Sequence, residues 1–99
     1  MNRTVLITGA SGGIGQAAAL AFWQKGCNVV LHYNTHGDTA KDLCRDMNNT
    51  RPRSAIAISA DITSCEQVNA LFDEVEKEWG TVEILVNNAG IAQQKLFTD

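Results

Sequence analysis

The sequence is poor in the features that mark a specialised partner or compartment. Its three cysteines, Cys27, Cys44 and Cys65, are odd in number, widely spaced and never arranged as C-x-x-C. That argues against a disulfide framework or a thiolate zinc site and leaves all three as reduced packing residues. The two histidines, His32 and His36, have no partner at metal-ligand spacing, so no metal is expected. There is no basic excess, since 8 Lys and Arg stand against 11 Asp and Glu for a net charge of −3. Nucleic acid and anionic membrane surfaces are therefore poor partners, and small molecules are better ones. No run approaches the roughly 18 apolar residues that would span a bilayer. Met1-Asn2-Arg3-Thr4 leads directly into a short apolar run with no longer apolar region or small-residue cleavage site behind it. A cytoplasmic protein is expected. Nor does Gly-Lys followed by Ser or Thr occur anywhere, which excludes a Walker-type phosphate loop.

What is present is an ordinary globular composition, 44% apolar and 19% charged over 99 residues, enough for one small domain with one core. Short apolar runs alternate with helical stripes. Thr4-Val5-Leu6-Ile7 reads as a strand buried on both faces, and Ile14 to Lys25 is an alanine-rich helix stopped by Gly26. Asn28 to Tyr33 is a second strand, followed by a turn at Thr35-His36-Gly37-Asp38. Ala40, Leu43, Cys44 and Met47 form the apolar face of a second helix that dissolves in Asn48-Asn49-Thr50-Arg51-Pro52. Ser54 to Ala60 is a third strand. Thr63-x-x-Glu66 and Ser64-x-x-Gln67 are overlapping capping boxes for a helix carrying Val68, Leu71, Phe72, Val75 and Trp79 and stopped by Gly80. Val82 to Val86 is the fourth strand. This β-α-β-α-β-α-β order predicts an α/β fold, with a parallel sheet, right-handed crossovers and helices on both faces.

Ligands of such sheets sit beyond the carboxyl ends of the strands. Four segments fall there: Thr8 to Gly15, Tyr33-Asn34, Asp61-Ile62 and Asn88 to Gly90. The first, TGASGGIG, can be read two ways. As Gly9-Ala10-Ser11-Gly12-Gly13 it is a literal G-x-S-x-G nucleophile elbow, the signature of a serine hydrolase. That chemistry needs an acid and then a histidine after the serine, and no acidic residue lies between Ser11 and either His32 or His36. As Gly9, Gly13 and Gly15 it is a loop that lets the backbone approach a pyrophosphate at a helix N-terminus. A tight strand-to-helix turn with no ligand remains the plainer alternative.

Taken together, Thr8-Gly9-x-x-x-Gly13-x-Gly15, Asp61-Ile62 and Asn87-Asn88-Ala89-Gly90 resemble the cofactor-binding signatures of the short-chain dehydrogenase/reductase family, from Thr4 to Asp99. Ile84 to Ile91 and Leu96 to Asp99 look most like its 3-oxoacyl-(acyl-carrier-protein) reductase branch. The resemblance implies the amino-terminal part of a Rossmann-type doubly wound sheet, residues 1–99 forming a partial NAD(P)-binding domain. It implies that Gly9, Ser11, Gly12, Gly13, Ile14 and Gly15 hold the pyrophosphate and that Asp61 accepts from the adenine amino group beside Ile62. Asn88, Ala89 and Gly90 would line the nicotinamide-side ribose, with Asn87 tying strands together. For Asp61, helix capping ahead of Thr63 is the alternative.

An NAD enzyme usually carries Asp or Glu about 20 residues beyond the loop. Here the second strand ends His32-Tyr33-Asn34, with no acid before Asp38. NADP(H) is favoured, with Asn34 among its contacts, and NAD(H) remains possible. The family's proton donor, Tyr-x-x-x-Lys with a preceding Ser, has no counterpart: the single tyrosine, Tyr33, is followed four residues on by Gly37. No catalytic residue is assigned, and the 99 residues alone are expected to be inactive, truncated before the catalytic segment. The complete protein would be a homo-oligomer acting on a small or acyl-carrier-bound carbonyl substrate. A non-catalytic dinucleotide-binding module is the alternative.

Overall fold

The computed structural model describes residues 3–35 and 37–88. Seven elements follow one another: β1 (Thr4–Thr8), α1 (Gly13–Gln24), β2 (Asn28–Tyr33), α2 (Asp38–Thr50), β3 (Ala55–Ser59), α3 (Cys65–Trp79) and β4 (Ile84–Asn87). All strand pairs are parallel, in the order β3-β2-β1-β4. The doubly wound α/β architecture expected from the sequence is thus the observed one. The chain leaves β1 towards β2 and β3 on one side and returns to β4 on the other. The switch in strand order therefore falls at β1, where sheets of this kind open a crevice.

The single core expected from the chain length resolves into two apolar layers, one on each face of the sheet. Val5, Ile7, Val29, Leu31 and Ala55 pack with Ala19 of α1 and Ala40 and Met47 of α2. Leu6 and Val30 face the other way and pack with Leu71 and Val75 of α3. Successive strand residues alternate between faces, so a run apolar at every position suits a sheet covered on both sides. Alanines at the α1 contact bring that helix close to the strands.

Helix ends explain the boundaries. Beyond α1, Gly26 adopts φ 96°. The Gly26 N–H reaches the Trp23 carbonyl and the Cys27 N–H the Phe22 carbonyl, which is a Schellman closure. Arg51 reinforces it from a distance, donating from its guanidinium to the Trp23 and Cys27 carbonyls. Gly37, ahead of α2, lies against the Tyr33 ring, where a Cβ would fall 2.2 Å from Cε2.

Several expectations need correction. The second helix does not dissolve at Asn48 but runs to Thr50, because the Asn48 amide is used at the sheet. Its Oδ1 accepts from the Ser54 and Ala55 amides at 2.9 and 3.0 Å and its Nδ2 donates to the Ala55 carbonyl at 2.9 Å. The fourth strand is Ile84–Asn87 rather than Val82 to Val86, since pairing with β1 begins at Val5↔Ile84. Neither capping box forms in full. Ser64 caps α3 by accepting from the Gln67 N–H at 3.3 Å, but the Gln67 side chain reaches back to the Asp61 amide. Thr63 turns to Asp61 instead of capping. Cys27 is buried and Cys44 half-buried, as packing residues should be, whereas Cys65 is exposed at the start of α3.

Candidate functional site

The β1–α1 turn is shaped by its glycines, each for its own reason. Gly9 adopts φ 65°, where a side chain would be strained. Gly15, buried in the first turns of α1, passes so close to the turn that a Cβ would sit 2.5 Å from the Gly9 carbonyl oxygen and 2.9 Å from the Ala10 Cα. Gly12 and Gly13 are different. A Cβ on Gly13 would meet nothing within 4 Å, and one on Gly12 would make only an ordinary contact of 3.8 Å. Both are exposed and neither has a positive φ, so nothing inside the described residues requires them to be glycine.

Those two glycines sit where α1 begins. Gly12 is its N-cap, with no side-chain cap and no acidic residue in the first turn. The leading amides of a helix have no intrahelical acceptor, and here the positive end of the helix dipole opens outward over an uncrowded surface. Ile14 beside them is 78% exposed, an unusual setting for a large apolar side chain. Ser11 is half-buried, and its carbonyl accepts from the Gln16 amide at 2.9 Å.

The other strand ends are tied to this turn. The Asn88 N–H donates to Thr8 Oγ1 at 2.9 Å and its Nδ2 to the Gly9 carbonyl at 3.3 Å. Thr8 Oγ1 also donates to Asn87 Oδ1 at 3.1 Å, so Asn87 and Asn88 together tie β4 to β1. Buried Asn87 Nδ2 has no hydrogen-bond partner among the described residues. On the opposite side, the Ala10 N–H donates to the His32 carbonyl at 2.8 Å and the Ala60 N–H to the Tyr33 carbonyl at 3.0 Å. Asn34 is exposed at the end of β2, and its carbonyl accepts from Ser59 Oγ.

Asp61 follows β3 with both its side-chain hydrogen bonds on Oδ1, from the Thr63 N–H at 3.0 Å and Thr63 Oγ1 at 2.6 Å. These bonds hold its carboxyl below the ordinary aspartate range, so it is ionised at neutral pH. One oxygen thus serves the turn ahead of α3, whose N-cap is Ser64 rather than Asp61, and Oδ2 remains an acceptor for a ligand. Ile62 is 3% exposed, which places its side chain in the packing. Ala89 and Gly90, expected beside the ribose, lie outside the described residues, as does His36.

Sequence reasoning treats His32 as a packed or solvated residue. It is 1% exposed and placed between two of the ligand segments, its Nδ1 3.2 Å from the Gly9 N–H and its Nε2 2.7 Å from the Ala60 carbonyl. With both ring nitrogens engaged by the backbone, it offers no base for Ser11. The only signal of this in the sequence is an imidazole in an otherwise apolar strand, one residue from the ligand edge.

The geometry is therefore an open helix N-terminus at a sheet switch point, with three further strand ends fastened to it. A family model for short chain dehydrogenases matches residues 3–99. The chain belongs to the short-chain dehydrogenase family. Among curated relatives, a short-chain type dehydrogenase/reductase of Picea abies is 40% identical over 97% of this chain and 37% of its own length. A 3-oxoacyl-(acyl-carrier-protein) reductase of Staphylococcus epidermidis is 35% identical over 98% of this chain and 39% of its own. A 3beta-hydroxysteroid dehydrogenase 1 of Eggerthella lenta is 40% identical over 90% of this chain and 34% of its own. The chain thus spans between 34% and 39% of the length of these family members. Among the described residues no helix is long and apolar enough to cross a membrane, and no three His, Cys, Asp or Glu side chains group to hold a metal ion.

Proposed function

We propose that this chain is the coenzyme-binding part of an NADP(H)-dependent oxidoreductase that reduces a 3-oxoacyl thioester or a similar ketone to the alcohol. The observation that carries the cofactor reading is the open surface at Gly12 and Gly13, glycines that the packing of the described residues does not demand. A pyrophosphate group supplies the demand, since its oxygens would occupy the space that side chains there would fill. Gly9 to Gly15 would hold it, with Ser11 as a hydroxyl donor and Ile14 alongside. Asp61 would receive the adenine amino group, next to Ile62, and Asn88 with Ala89 and Gly90 would meet the nicotinamide-side ribose. When bound, the nicotinamide supplies the hydride. What the chain itself supplies is orientation and an electropositive turn.

Preference for NADP(H) rests on Asn34. An acid at this strand end would repel a 2′-phosphate, and an exposed asparagine does not. The 3-oxoacyl substrate rests on likeness to the staphylococcal reductase, and a ring ketone is the second reading, favoured by the 40% identity to the Eggerthella steroid dehydrogenase. We place the complete protein in the cytoplasm as a homo-oligomer. The test is direct titration of the full-length protein with NADPH and NADH, followed by turnover of an acetoacetyl thioester and a 3-ketosteroid. Tighter NADPH binding and thioester reduction are expected. Tighter NADH binding overturns the cofactor assignment, and turnover of the steroid alone overturns the substrate assignment.

A further inference from the structure

Gly9 is held from both sides. Asn88 donates to its carbonyl, and its own N–H points into the sheet at the His32 ring. The chemistry of the two contacts fixes the ring. A backbone N–H can only donate, so Nδ1 must carry the lone pair, and a carbonyl can only accept, so Nε2 must carry the proton. His32 is therefore the neutral Nε2–H tautomer, fully buried, with one end on the glycine turn and the other on the Ala60 carbonyl, next to Asp61.

The backbone makes one link in each direction already, Ala10 to His32 and Ala60 to Tyr33. The ring adds a second link on each side. Two links per side hold each segment to β2 at two points beyond the paired strands. They also turn the Gly9 N–H inward, which leaves phosphate recognition to the amides at the start of α1. The segments so joined are the two that would hold opposite ends of one adenosine diphosphate unit.

We infer that His32 is a positioning residue for the dinucleotide, its neutral ring setting the spacing between the pyrophosphate turn at Gly9 and the adenine step at Asp61. The inference rests on the dinucleotide reading and adds a residue to it. His32 touches no part of the cofactor in this scheme. It acts by keeping two halves of the site in register, so its loss should be felt by a ligand that bridges both halves and much less by one that occupies a single half.

Equilibrium binding to the full-length protein tests this, with NADPH as the bridging ligand and adenosine 2′-monophosphate, which has no 5′-phosphate to reach the glycine turn, as the adenine-half probe, in wild type, His32→Asn and His32→Phe. Phenylalanine fills the space but leaves the Gly9 N–H and the Ala60 carbonyl without partners, and NADPH affinity should fall by about tenfold or more. Affinity for adenosine 2′-monophosphate should change by less than about threefold. Asparagine retains an acceptor near the Nδ1 position and should restore most of the NADPH affinity. Equal losses for both ligands would make His32 a merely structural residue, and an unchanged NADPH affinity in His32→Phe would remove its role altogether. Should His32→Phe fail to fold, the asparagine variant and the ring nitrogen NMR shifts of the wild type decide. Shifts of an Nδ1–H tautomer would overturn the assignment, and shifts of the Nε2–H tautomer that respond to NADPH but not to adenosine 2′-monophosphate would sustain it. If wild type binds no nicotinamide dinucleotide at all, the cofactor reading itself falls and this inference falls with it. Binding that is indifferent to His32 sinks the inference alone.

Discussion

Two neighbouring glycines in the same turn carry opposite predictions, because a methyl group would meet backbone at one and open space at the other. At Gly15→Ala the new Cβ collides with the Gly9 carbonyl oxygen and the Ala10 Cα, neither of which can swing aside as a flexible side chain would. About 1–3 kcal/mol of stability should be lost, read as a lowered denaturant midpoint. At Gly13→Ala the folded protein is unchanged or gains about 0.5 kcal/mol from reduced backbone freedom in the unfolded chain. Its NADPH affinity should nevertheless fall, and unaltered affinity would count against a phosphate in that space. His32 adds a pH dependence. Burial pushes its imidazole below the ordinary histidine value, only partly offset by the Ala60 hydrogen bond. The flanking strands β1 and β3 and the glycine turn carry no ionisable side chain, the α3 acids Glu66, Asp73, Glu74, Glu76 and Glu78 are exposed, and Asp61 is engaged by Thr63. As pH falls the unfolded chain takes up the histidine proton first, so this stabilisation is complete above about pH 6.5 and is lost below it. The slope is at most ~1.4 kcal/mol per pH unit, and His32→Asn should flatten it in urea titrations between about pH 7 and 5.

At the scale of elements, what is legible in the sequence is periodicity, and what is hidden is the use to which polar side chains are put. Alternating apolar runs and stripes announce all seven elements in order, since sheet and helix burial impose different periods. Asn48 shows the limit. Beside Asn49 and ahead of Pro52 it reads as a helix breaker, yet it caps the start of β3 from within the last turn of α2. Asn48→Ala leaves the Ser54 and Ala55 amides without that acceptor and should cost about 1–3 kcal/mol. Asn49→Ala, at an exposed position, should stay within about 0.5 kcal/mol. The same reasoning separates the two capping boxes ahead of α3. Only Ser64 accepts from a helix amide, so Ser64→Ala should cost about 1 kcal/mol in thermal or urea unfolding. Thr63→Ala should act mainly through Asp61, raising its pKa part of the way towards the ordinary value, because it removes the hydroxyl hydrogen bond, the larger depressing cause, and keeps the one from the Thr63 backbone N–H.

For the whole molecule, the order β3-β2-β1-β4 gathers segments from across the chain at one sheet edge. The positions of those segments follow from strand ends alone, which is why Gly9, Asn34, Asp61 and Asn88 can be named from sequence. Their mutual connections cannot, because hydrogen bonds such as Asn88 to Gly9 or His32 to Ala60 depend on strand order and register, which no local pattern encodes. Under the proposed function, cofactor choice is a property of this assembled edge. Asn34 directly follows β2, beside the strand that bears the glycine turn, and it is exposed, its carbonyl accepting from Ser59 Oγ. Asn34→Asp places a carboxylate where the ribose 2′ position of the cofactor is expected. A carboxylate accepts from a 2′-hydroxyl and repels a 2′-phosphate, so the substitution should act in opposite directions on the two coenzymes. Because the position is exposed, fold stability should move by no more than about 0.5 kcal/mol. Binding to the full-length variant should show NADPH weakened by about tenfold or more and NADH strengthened, reversing the preference proposed for the wild type. Parallel changes in both affinities would place the 2′ position elsewhere on the edge and detach cofactor choice from the end of β2.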